Sequence, residues 1–170
     1  MKTEIRKAIL GDEDGIAKVH VQSWQETYKG LVPQTYLEEM PSQLNERISN
    51  WKKSITNPER ITFVAENHKG IIGFVLFGPA RDPDRAGFIE LGAIYLLASE
   101  KGKGIGFSLV SAGFNILKEL GFKKAYCWVL EGNPTNKFYE RTGARFSGKV
   151  KYDEIGGQQC KEFAYEWENF

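Results

Sequence analysis

Hydrophobic and polar positions alternate in the opening segment "TEIRKAI", which carries Ile5 and Ile9 and predicts a first strand over residues 3–9. The pattern then changes period. In "GDEDGIAKVHVQSWQETY" the apolar residues Ile16, Val19, Trp24 and Tyr28 recur at about one helical turn. Asp12 is the expected N-cap, and Gly30 and Pro33 end the helix. Leu44, Ile48, Trp51 and Ile55 predict a second helix from Ser42 to Ser54, closed by Pro58. "RITFVAE" and "IIGFVLF" read as two strands of a hairpin across "NHKG". A polar loop, "GPARDPDRAG", leads to a long apolar strand, "FIELGAIYLL", in which Gly92 marks a bulge.

A third helix follows, with Ile105, Leu109, Ile116, Leu117 and Leu120 on its buried side and Gly121 after its end. "KKAYCWVL" is another strand. "GNPTNKFYERTG" is a short helix with Asn133 as N-cap, Pro134 at the first position and Gly143 after the end. "ARFSGKVKYDEI" and "QCKEFAYEW", joined by a "GGQ" turn, form a closing hairpin. The order β-α-α-β-β-β-α-β-α-β-β predicts an α/β (α+β) fold with a mixed sheet and helices on both faces.

Composition adds limits. The 170 residues suit one domain, residues 1–170, with a proper core. A net charge of +1 gives no global field for nucleic acid or an anionic membrane. No apolar run reaches membrane-spanning length, and the start lacks a signal-peptide block. Cys127 and Cys160 are too few for a disulfide framework and read as small buried side chains. His20 and His68 share no ligand spacing with them, so no metal is expected. A cytoplasmic enzyme or binding domain is the default.

"ASEKGKGIGFSLVSAGF" concentrates glycine and lysine at a helix start. A P-loop fails because Gly104 follows Lys103, and a dinucleotide fingerprint fails because Phe107 stands where the third glycine belongs. What remains is a run from Lys101 to Gly106 whose amides point outward at a helix N-terminus, suited to a pyrophosphate. A glycine turn that merely seats the helix close to the sheet is the plain alternative.

"ELGAIYLLASEKGKGIGFSLV" resembles the acetyl-CoA signature of the GCN5-related N-acetyltransferases, a Gln/Arg-x-x-Gly-x-Gly/Ala motif after the fourth strand. Lys101, Gly104 and Gly106 occupy its places, with Lys where Arg or Gln is usual and Ala98 where proline is usual. "NPTNKFYERTGA" resembles the family's later Asn-x-x-Ala…Phe-Tyr-Glu motif, with Asn136 in place of Ala. The resemblance spans the strand order over roughly residues 3–167. It implies a mostly antiparallel sheet of about seven strands and acetyl transfer from acetyl-CoA to a primary amine, by direct attack in a ternary complex. The acceptor is a small-molecule or protein amine, and a homodimer is the commonest assembly to expect. A non-catalytic acyl-CoA sensor is the alternative.

The resemblance also assigns residues. The cofactor falls to Lys101, Gly102, Lys103, Gly104, Ile105, Gly106 and Phe107, to the strand amides of Ile94 and Leu96, and to Asn133 and Asn136. Glu90, a carboxylate in an apolar strand, is the candidate base, since burial raises a carboxylate pKa; a salt-bridged glutamate is its plain alternative. Tyr139 is the candidate acid for the leaving thiolate, and a packed aromatic is its plain alternative. Phe138 is expected in the core. Trp24 and Tyr28, four apart on one helix face, either line the acceptor pocket or simply pack on the sheet. Asp82 and Asp84 lie in a loop where they either attract an amine or stay solvated.

Overall fold

The alternating segments become strands and the one-turn repeats become helices in the computed structural model, which describes residues 2–170. In chain order these are β1 (Glu4–Lys7), α1 (Glu13–Thr27), α2 (Gln34–Glu39), α3 (Leu44–Thr56), β2 (Ile61–Asn67), β3 (Gly70–Pro79) and β4 (Phe88–Leu96). After them come α4 (Ile105–Glu119), β5 (Lys124–Leu130), α5 (Asn136–Arg141), β6 (Arg145–Ile155) and β7 (Gln158–Glu168). The seven strands form one sheet in the order β1-β2-β3-β4-β5-β7-β6. Every neighbouring pair is antiparallel except β4 and β5.

The two faces of the sheet bury different helices. On one, Leu109, Val110, Phe114 and Leu117 of α4 pack with Phe77, Leu91, Cys127, Val129 and Trp167, and Tyr139 of α5 joins them. On the other, Ile16 and Val19 of α1 and Trp51 of α3 pack over Val64 and Phe74. Next to that cluster, Val21, Tyr28, Leu37 and Met40 cover Leu130 and Cys160. Alternation along each strand sends successive side chains to opposite faces, so one sheet holds both cores.

Four local expectations need correction. α2 breaks the expected element order: a short helix follows Pro33, where only a break was expected. It buries Leu37 alone, too little for a periodic signal. Helix α3 runs two residues later than expected, because Met40–Gln43 forms a 3₁₀ turn ahead of it. Asp12 holds the expected N-cap position of α1, but its side chain makes no cap; its carboxylate accepts from Arg6 at 2.7 Å and from the Ile9 amide at 2.9 Å. Leu120 is 61% exposed, because Val110, Gly113 and Phe114 complete the buried stripe of α4 instead. Among the described residues no helix is long and apolar enough to cross a membrane.

Candidate active site

The site begins with a failure of strand pairing. β4 pairs with β5 over three rungs only, Phe88 with Lys124, Ile89 with Ala125 and Glu90 with Tyr126. Both strands then continue, β4 to Leu96 and β5 to Leu130, without facing each other. β4 stays paired to β3 all the way to Leu96. Gly92 is the extra residue of a bulge, since Leu76 faces Ala93 while Phe77 faces Leu91. A bulge increases local twist and turns the strand away from its neighbour. The Leu97 amide donates to the Ile72 carbonyl at 3.0 Å, on the β3 side. Alternation along the strand therefore turns the amides of Leu96 and Ile94 into the gap.

The loop after β4 delivers the glycine run to the mouth of this gap. Gly102 and Gly104 adopt φ of +79° and +78°, a region that disfavours any residue with a Cβ. Gly104 is the N-cap of α4 and supplies no side-chain cap. The first α4 amides, Ile105 to Phe107, thus keep free N–H groups at the positive end of a 15-residue helix. The Lys101 ammonium donates to Thr27 Oγ1 at 3.3 Å, tying the loop to the end of α1. Lys103 instead pairs with Glu100 at 2.9 Å. A Cβ on Gly106 would meet the Phe138 ring at 3.2 Å, so glycine there lets α4 and α5 approach.

Gap and loop together enclose a cleft of about 490 Å³. Ten of the expected site residues line it: Tyr28, Ile94, Leu96, Lys101, Gly102, Gly104, Gly106, Phe107, Asn133 and Tyr139. Glu90, Lys103, Ile105, Asn136 and Trp24 do not. The Ile105 side chain is buried in the core, while its amide remains at the helix start. Trp24 packs behind Tyr28, with ring centroids 4.4 Å apart. Asn136 opens α5, which starts later than expected. Asn133 instead caps the preceding turn, accepting from the Thr135 amide at 3.1 Å.

Tyr139 is 7% exposed and stands at the cleft wall beside the Cys127 thiol. Burial pushes its pKa well above the ordinary phenol value, so the hydroxyl keeps its proton. Glu90 differs from the expectation. It is 3% exposed, but its carboxylate faces Arg81, which donates through Nε at 3.0 Å, and Tyr126, which donates through Oη at 3.0 Å. Burial raises its pKa, yet the Arg81 guanidinium outweighs that and holds it below the usual glutamate value. The expected raised pKa is therefore corrected: an ion pair nine residues away in sequence reverses its sign.

The loop acids are also engaged. Asp82 accepts from Trp128 Nε1 at 2.9 Å, and Asp84 pairs with Lys149. Phe138 packs against the core as expected and also lines the cleft, as do Thr27, Trp128, Val129, Pro134 and Thr135. Trp128 and Val129 carry no signal in the sequence, because a parallel neighbour of β4 cannot be identified from local pattern. Pro134 and Thr135 lie inside a motif whose pattern predicts a helix cap.

Residues 21–144 match the family described as "Acetyltransferase (GNAT) family". The chain is 35% identical over 164 residues to the uncharacterized N-acetyltransferase YuaI of Bacillus subtilis, covering 96% of this chain and 91% of that one. It is 25% identical over 153 residues to a spermidine N(1)-acetyltransferase of Thermoplasma acidophilum, covering 84% of this chain and 88% of that one. The PaiA N-acetyltransferase of Thermoplasma acidophilum, solved in complex with coenzyme A, superposes with a TM-score of 0.79 at 25% identity, over 99% of both chains. With the parted strands, the uncapped glycine loop and a profile match across most of its length, the chain belongs to the GNAT family of acetyltransferases.

Proposed function

We propose that the cleft holds acetyl-CoA, with its diphosphate on the amides of Gly102 to Phe107 and its pantetheine arm against the amides of Ile94 and Leu96. Family membership makes the protein an acetyltransferase that moves acetyl from acetyl-CoA to an amine. The observation that carries the placement is the parting of β4 from β5 directly onto the uncapped N-terminus of α4. An extended arm entering such a gap restores the missing strand contacts, and the helix end suits an anion.

The acceptor amine enters from the α1 side, past Tyr28. Its nitrogen lone pair attacks the thioester carbonyl carbon, and an amide N–H facing the gap steadies the oxyanion. The C–S bond then breaks, and Tyr139 Oη hydrogen-bonds the departing thiolate and passes it a proton that the phenol regains from solvent. Burial raises the phenol's pKa above that of a thiol, so the transfer is uphill and is carried by the hydrogen bond to the sulfur. The proton lost by the attacking nitrogen passes to solvent at the acceptor mouth, because Glu90 is held as an ion-paired carboxylate by Arg81. Cys127 and Cys160 remain free and buried, in keeping with a reducing, cytoplasmic setting.

A panel of primary amines with acetyl-CoA, followed by free-thiol release, tests the reading. Amine-dependent release is expected. Acetyl-CoA binding without release for any amine would leave a binding protein in its place.

A further inference from the structure

The two edges of the sheet are unlike. β1 closes one side with 4 residues, while β6 presents 11 at the other. Edge strands are commonly guarded by bulges or lysines. β6 carries such guards in its first half, where pairing is irregular between Phe146 and Val150 and Lys149 is tied to Asp84. From Val150 to Ile155 the ladder to β7 is regular, and Val150, Tyr152, Asp153 and Glu154 are exposed.

The direction of the free backbone groups follows from β7. The Glu131 amide donates to the Lys161 carbonyl at 2.9 Å, so Lys161 turns its backbone towards β5. Alternation then gives the backbones of Cys160 and Glu162 to β6, where they face Asp153 and Lys151. The amides and carbonyls of Val150, Tyr152 and Glu154 therefore point away from β7, with no strand beyond them among the described residues.

The side chains of this edge fit a second copy of itself. In an antiparallel pair about a two-fold axis at Tyr152, Lys151 stands opposite Asp153 of the second copy, and Asp153 opposite its Lys151. Within one chain Lys151 is already 2.7 Å from Asp153 Oδ2, so the four charges alternate in sign around the axis. An axis at Lys151, Asp153 or Glu154 would instead set like charges face to face, and an axis at Val150 would oppose Lys149 to Lys151. On the other face of the strand Val150 and Tyr152 are 42% and 62% exposed. The same axis sets the two Tyr152 rings side by side, with Val150 of each copy diagonal to them, and so covers apolar surface on both chains.

We propose that β6 is an interface between two copies of this chain, which join their sheets edge to edge in a single register centred on Tyr152. The inference is independent of what the cleft binds.

Sedimentation equilibrium over a dilution series tests it. The expected result is a monomer–dimer equilibrium with a dissociation constant of about 10 μM or tighter, for an interface at the small end of the stable range. Asp153→Lys sets lysine against lysine across the axis and is expected to weaken the dimer by about tenfold or more. Tyr152→Cys puts a thiol at the axis. A short bismaleimide is expected to join two chains of that variant and not of the wild type, whose cysteines are buried. Both positions are exposed, and thermal melts check that the variants stay folded. A monomer at every concentration overturns the proposal. So does a dimer that Asp153→Lys leaves as tight, or that the reagent fails to join, because it uses another surface. Assemblies that keep growing with concentration overturn it too, since they mark an unselective edge.

Discussion

Tyr139 and Glu90 are both buried beside the β4–β5 gap, but only Glu90 is paired with a guanidinium. Tyr139→Phe removes one oxygen from a packed ring, so acetyl-CoA affinity should hold while kcat falls by about a hundredfold. Steady-state kinetics with direct binding measurements separate the two, and an unchanged kcat would end the acid role. Glu90→Gln weakens the pairing of a buried carboxylate with the largely exposed Arg81. The expected result is a loss of about 1–3 kcal/mol in stability with the rate–pH profile unmoved, read by denaturant melts and pH-dependent rates. His20 gives a separate pH signature. Burial, with Arg47 nearby, lowers its pKa from 6.5 to about 4, and Trp51 Nε1 donates to its Nδ1 at 3.4 Å. The unfolded chain takes up a proton below 6.5 that the folded chain refuses until about 4. Stability is therefore full above pH 6.5 and declines as pH falls towards about 4, by up to about 3 kcal/mol. His20→Gln should flatten that decline in melts recorded across the window.

Elements differ in how much of their work local sequence reveals. Gly92 could be read as a bulge because a lone glycine interrupts an apolar strand, and the register around it shows that bulge. Gly104 could be read as the entry to α4 because glycines and lysines precede a one-turn apolar repeat. Gly104→Ala puts a Cβ on a residue at φ +78°, a strain of about 1–2 kcal/mol, and turns the free amides. Weaker acetyl-CoA binding is the outcome to look for by calorimetry, with unaltered affinity as the contrary result. Gly113 carried no such signal, since it lies in mid-helix among apolar neighbours. Yet a Cβ there would drive into the Phe77 ring, so this glycine sets how closely α4 sits on the sheet. α2 was illegible for the opposite reason: with one buried residue it has almost no pattern to read.

At the scale of the whole molecule, pattern anticipates the elements and a mixed sheet, but not the order of the strands, in which β7 inserts between β5 and β6. The polar links that decide side-chain roles do not follow from pattern. Arg81 meets Glu90 across a loop, Trp128 meets Asp82 from a distant strand, and Glu162 meets Lys151 across a hairpin. Each joins segments whose separate sequences give no sign of the other. The two motifs therefore locate the cleft, while assembly alone withdraws Glu90 from it and brings Trp128 to its wall. The central claim is that the glycine loop grips the diphosphate of coenzyme A. Calorimetry comparing acetyl-CoA with S-acetylpantetheine, which has the thioester arm and no diphosphate, tests it most directly. The account predicts at least about a hundredfold tighter binding of acetyl-CoA; equal affinity for the two would contradict it.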